Sequence, residues 1–180
     1  MVDSQVSVSK LQDYWRYIEG LKDSVVIEGY IPTSKMPPWD EICSELPWQT
    51  YCIDGGPFRN KHHGYCGVYR LIGLVTDRPL KPATISRTCT DDATGTLYIG
   101  EAGWLNDRLN QLRRSLHSED SHPASRMWKQ SPVLRSKFPA NKLGVSLFFT
   151  SVRMHKLVES DLIRAYLNAF GDTPPLNCSF

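Results

Sequence analysis

Apolar positions recur along this chain at two distinct periods. Between residues 67 and 75 the run GVYRLIGLV alternates and is rich in β-branched and aromatic types, which predicts a strand. TLYIG at 96–100 predicts a second strand, and KLGVSLFFTSV at 142–152 a third, with Val145, Leu147 and Phe149 on one face. Elsewhere the spacing is helical. Leu11, Tyr14, Trp15, Ile18 and Leu21 outline an amphipathic helix over 9–23. Leu105, Leu109, Leu112 and Leu116 form one stripe behind a candidate cap at Asn106, and 124–137 predicts a less regular helix interrupted near Pro132. A final helix covers 154–170. Between the first two strands lies TDRPLKPATISRTCTDDATG, whose Pro, Gly and Thr content predicts a long loop over 76–95. Residues 32–63, rich in Pro, Gly, Trp and Asp, predict packed irregular structure with one short helix near 39–46. The division that follows is an N-terminal extension over 1–63 and a mixed helix-and-strand domain over 64–180.

Length and composition narrow this only slightly. A chain of 180 residues and 20.5 kDa fits one domain, or a smaller domain with an appendage. A net charge of +2 is too weak to indicate nucleic-acid binding, so any such affinity must come from where the charges sit. The N-terminus has neither the basic flank nor the apolar core of a signal peptide, and no stretch has the length of a membrane span, which predicts a cytoplasmic protein. The five cysteines are odd in number and contain no C-x-x-C pair, against a disulfide framework or zinc ribbon. Cys43, Cys52, His62 or His63, and Cys66 make a weak zinc pattern of no standard spacing; buried free thiols are the expectation.

The last helix carries the first chemical signal. At about 100° per residue, Val158, Leu162, Tyr166, Phe170 and Ile163 share one arc, and Glu159 falls inside it rather than with Ser160, Asp161, Arg164 and Asn168. A carboxylate on a buried face is costly unless it is paired or binds a metal. A core-edge salt bridge, for instance to Arg108, and a metal site both satisfy that requirement. Arg108 flanks the leucine stripe of its own helix and can reach the mouth of a cleft.

Taken in order, G-V-Y at 67–69, Y-I-G at 98–100, Arg108 ten residues after the second tyrosine, the helix-borne Glu159, and Asn177 in PPLN resemble the GIY-YIG nuclease family. The resemblance runs from about Gly64 to Asn177. It implies an α/β (α+β) fold, a central three-stranded antiparallel sheet flanked by helices, and phosphodiester hydrolysis with one divalent cation, Mg²⁺ or Mn²⁺. It further implies that Glu159 is the sole protein ligand of the metal, that Tyr69 positions or deprotonates the attacking water, that Arg108 neutralises the scissile phosphate, that Tyr98 hydrogen-bonds near it, and that Asn177 orients the site. A phenol titrates near pH 10, so Tyr69 needs cations beside it or a group that takes its proton onward. Many relatives carry His or Tyr four residues after the arginine for this; here that position is Leu112, leaving His117, His122, Lys81 or water.

The expected activity is thus a metal-dependent DNA endonuclease, similar to restriction-type or small phage-type members, with duplex DNA as favoured partner. A nuclease of RNA or branched DNA, and a non-catalytic nucleic-acid-binding module, are the alternatives. With three residues after Asn177, targeting is expected in 1–63, in the 76–95 loop or in a partner subunit. Arg78, Lys81, Arg87, Arg113 and Arg114 are candidate DNA contacts. Cutting two antiparallel strands favours a twofold homodimer on DNA, with residues 1–63, including Tyr14, Trp15, Trp39 and Trp48, offering surface for its interface.

Overall fold

The computed structural model describes residues 37–54, 65–77, 79–118, 122–150 and 154–177. The helix expected over 9–23, with Tyr14 and Trp15, lies outside them, as do Arg78, His62 and His63. Helix α1 spans Trp39–Glu45 and strand β1 Gln49–Cys52. Then follow β2 (Cys66–Asp77), β3 (Leu80–Pro82), β4 (Thr96–Ala102), α2 (Leu105–His117), α3 (Pro123–Gln130), α4 (Pro132–Lys137), β5 (Leu143–Thr150) and α5 (His155–Phe170).

The three strands marked by alternation form the middle of an antiparallel sheet. β2 is central, with β4 on one side (Tyr69 opposite Gly100) and β5 on the other (Tyr69 opposite Leu147). Gly67 explains how closely β2 and β5 approach: a Cβ there would stand 2.3 Å from the Phe148 carbonyl oxygen and 2.8 Å from Leu105 Cδ1. The fold is therefore α+β, an antiparallel curled sheet flanked by helices. Among the described residues its sheet has five strands, two more than the central three. β1 pairs along the outer edge of β5, and β3 folds back on the distal end of β2. Four residues, QTYC, and three, LKP, are too short to show a period, which is why neither stands out in the sequence.

Two boundaries move for the same reason. Trp39, Ile42 and Leu46 sit in a core with Val68, Phe148, Leu162 and Tyr166, so the described part of the supposed extension belongs to the domain itself. Trp39, 2% exposed, packs edge-on against Tyr166 and Phe170, and the partly buried Trp48 lies tilted against Phe148, so both pack on their own domain. The 76–95 segment is likewise no free loop. The Ile85–Asp92 bridge, the Ala83 N–H on the Gly73 carbonyl and the Gly73 N–H on the Gly95 carbonyl tie it to the end of β2. Gly95 makes the turn at φ +69°, which L side chains rarely adopt. The buried carboxylate of Asp92 accepts from Thr94 N, Thr94 Oγ1, Thr96 N and Tyr166 Oη.

The second core lies on the opposite sheet face, where Tyr69, Leu71, Val145 and Leu147 meet the leucines of α2 and Trp128 of α3. Pro132 divides α3 from α4 as its ring requires. Asn106 is not the cap of α2: it is buried inside the first turn, and Trp104 precedes the helix without a side-chain cap bond. No described helix is long and apolar enough to cross a membrane.

Candidate active site

Antiparallel pairing of β2 with β4 brings Tyr69 and Tyr98 together, with ring centroids 5.9 Å apart. Gly100, directly opposite Tyr69, leaves the room they use. A Cβ at 100 would stand 2.5 Å from Tyr98 Cε1 and 2.8 Å from Tyr69 Oη. Gly100→Ala is accordingly expected to displace the Tyr69 hydroxyl and to cost about 1–3 kcal/mol of stability, read by chemical denaturation; an unchanged midpoint would mean that the tyrosines move aside freely.

The buried Tyr69 hydroxyl lies 2.8 Å from Nε2 of His122, the residue that precedes α3. Of the four candidates for taking a proton from Tyr69, this is the one placed on it. His122 also caps its helix, with Nδ1 accepting the Ala124 N–H at 3.2 Å. Burial, and then the charge of Arg108, push its pKa down to about 3, so the ring is neutral. A neutral imidazole with an accepting Nδ1 carries its hydrogen on Nε2. His122 therefore donates to the Tyr69 oxygen. In this tautomer it holds the tyrosine and favours its phenolate, and it does not receive the proton.

Burial, then repulsion from Tyr98, holds the Tyr69 hydroxyl well above its ordinary pKa, and Arg108 opposes the rise. Tyr98 is raised by burial and then by Glu159. Arg108, half-buried on α2 and bonded through Nη1 to Gln111 Oε1 at 2.9 Å, thus stands within electrostatic reach of both hydroxyls. Glu159, on α5, joins them from the other side of the β4 edge. Burial, then the charge of Glu101, push its carboxyl up to about 7, against the pull of Arg108, the Glu101 N–H and Lys156. Among the described residues Arg108 and Glu159 form no salt bridge, so the core-edge ion pair is not how Glu159 is accommodated. Two mutually repelling carboxylates, one of them half-buried, form a donor set that fits a hard divalent cation. No cluster of three or more His, Cys, Asp and Glu side chains occurs among the described residues, so water would complete the shell. Cys43, Cys52 and Cys66 are free thiols, and His62 and His63, the other members of the weak zinc pattern, lie outside the described residues.

Asn177 acts on the backbone. Its Oδ1 accepts the Ile99 N–H at 2.9 Å and its Nδ2 donates to the Ile99 carbonyl at 2.8 Å, clipping the strand that carries Tyr98. It is a positioning residue. The other candidates scatter. His117 is exposed and pairs with Asp54, 3.1 Å away, and Lys81 lies on β3 opposite Thr76, at the far end of β2 from Tyr69. Arg87 is turned inward onto Asp172, 2.7 Å away, and onto the Thr173 carbonyl, which removes it as a phosphate contact. Arg113 is half-buried on α2. Arg114 lines an open cleft of about 510 Å³ with Glu101, Asp107, Arg108 and Gln111, and Trp104 stands 60% exposed at its rim.

Glu101 and its partner His155, 3.3 Å away, have no place in the sequence reading. Glu101 follows Y-I-G directly, and its alternation with Gly100 puts it on the α5 side; that periodicity is the signal that could have found it. Comparison with protein-family models, with curated proteins and with solved structures found no match.

Proposed function

We propose that this protein is a metal-dependent endonuclease of the GIY-YIG type that hydrolyses phosphodiester bonds in duplex DNA. The observation that carries the reading is the meeting of Tyr69, Tyr98, Arg108 and Glu159, drawn from four separate elements, at one edge of the sheet beside an open cleft. Neither Arg108 nor Glu159 needs to be there for packing, since an apolar residue at either position would avoid the burial of charge.

The chemistry follows from the residues. In-line attack at phosphorus needs positive charge preorganised on the non-bridging oxygens, and the guanidinium of Arg108 supplies it with planar donors. Tyr98 offers a hydroxyl beside it. Glu159, with Glu101 near, would hold Mg²⁺ or Mn²⁺, which supplies Lewis-acid charge and a more acidic water. Tyr69 would orient the attacking water through its hydroxyl, whose oxygen is fixed by the Nε2–H of His122. With its pKa raised by burial, Tyr69 serves as a base only when cationic charge is added beside it.

Supercoiled plasmid, single-stranded DNA and RNA, each incubated with Mg²⁺ or with EDTA, test the reading. Duplex cleavage that EDTA stops is the expected result. Cleavage confined to RNA would transfer the activity to that substrate, and no cleavage of any polymer with Mg²⁺ or Mn²⁺ would leave a binding module.

A further inference from the structure

On the opposite face of β2, next to Tyr69 in the chain, Arg70 is buried to 5% exposure without a carboxylate in contact among the described residues. Its Nη1 donates to Cys43 Sγ at 2.7 Å and to Thr96 Oγ1 at 3.3 Å, and Nε has no partner. The guanidinium lies 4.4 Å from the centroid of the Trp48 ring and 5.7 Å from that of Trp39. Cys43 does not neutralise it, because burial pushes that thiol up to about 11 and keeps it protonated. Asp92 is linked to it only through the hydroxyls of Thr96 and Thr94, and the Asp92 oxygens already accept from four donors. Indole faces and neutral acceptors replace only part of the hydration a guanidinium gives up.

What the side chain faces is a cavity of about 460 Å³ between α1, β1, β3 and the 93–94 turn. Its wall carries hydroxyls: Thr50 Oγ1 and Ser146 Oγ, bonded to each other at 2.8 Å, with Ser44 and Thr94 nearby. Asp40 lies at its mouth. A recessed guanidinium beside hydroxyls suits a compact oxyanion with several acceptor oxygens. The phosphates of a duplex run along a convex surface and do not descend to so deeply buried a group. The geometry points to a second binding site, separate from the tyrosine cluster, for a small phosphate: inorganic phosphate or the phosphate monoester of a mononucleotide, held by Arg70 with Thr50 and Ser146. Nothing in this assignment depends on nuclease activity.

Thermal denaturation in phosphate-free buffer, titrated with inorganic phosphate, with a nucleoside 5′-monophosphate, and with acetate at matched ionic strength, tests it. Phosphate is expected to raise Tm by several degrees, growing with the logarithm of concentration once the site is half-filled, and acetate is not. A larger rise with the nucleotide than with phosphate identifies the monoester as the ligand; equal rises identify free phosphate. Arg70→Met should remove the response yet fold, since replacing a buried charge by an apolar side chain of similar length is often neutral or stabilising. Thr50→Val, which keeps the charge, should weaken the response. Arg108→Ala should leave it intact, which separates this site from the candidate active site. A response lost in Arg108→Ala and kept in Arg70→Met, an equal response to acetate, or no response in the wild-type protein would each overturn the proposal.

Discussion

Glu159→Gln should lose at least about 10²–10³-fold in kcat for DNA cleavage while gaining thermal stability above neutral pH. The two effects share one cause. In the folded chain the carboxyl titrates near 7 against an ordinary 4.5, because burial and Glu101 oppose its charge. The folded state therefore binds that proton more tightly than the unfolded chain. This contribution to stability is complete below 4.5 and is lost as pH rises through about 7. Glutamine keeps the shape and never ionises, so the difference in Tm between variant and wild type should open as pH is raised from 5 to 8. Mg²⁺ should close it by raising the Tm of the wild type alone, since a cation between Glu159 and Glu101 relieves the repulsion. Two results would sink the assignment: full turnover by the variant, or a Tm response to Mg²⁺ that the substitution does not alter.

For Tyr69→Phe the expected result is a fall in kcat of about 10²–10⁴-fold with KM nearly unchanged. The ring stays packed between Tyr98 and the second core, and the only atom removed is the oxygen that His122 holds 2.8 Å away. That leaves the Nε2–H of His122 buried without its acceptor, a cost of about 1–3 kcal/mol in stability. Assays well below the variant's Tm separate this from catalysis, because a merely structural tyrosine would slow nothing once the protein is folded. Retained kcat at such a temperature would return Tyr69 to the role of an aromatic core residue paired with Tyr98.

Much of the fold was legible because its central elements are long enough to repeat. β2, β4, β5, α2 and α5 each hold several turns or alternations, and burial of one face fixes that period in the choice of residues. Short elements carry no such record. β1 exists because its backbone groups find the open edge of β5, and β3 because the chain turns back on β2; both are decided by a partner distant in sequence. The same distinction divides the site. Glu159 stands out on a helical wheel, whereas Tyr69, Tyr98 and Arg108 were singled out by their order and spacing only through the resemblance to the GIY-YIG pattern. His122 could only be offered with His117, Lys81 and water, because contact between a helix cap and a strand leaves no mark on either segment.

By itself, then, the amino-acid sequence determined the apolar stripes of the long elements, but not the ranking of acidic residues on α5: Asp161, read with the polar side, is fully buried and paired with Arg164, whereas Glu159 is half-buried. Tertiary structure alone decided that Glu101 stands beside Glu159, that Asn177 grips the Ile99 backbone, that Arg87 is consumed by Asp172, and that Arg70 lies beside two indoles in the wall of a cavity. The physical reason is range. Periodicity and capping act over a few residues and are written into neighbouring positions, whereas the electrostatics of a buried charge depend on whatever the fold carries within several ångströms of it, from any distance along the chain.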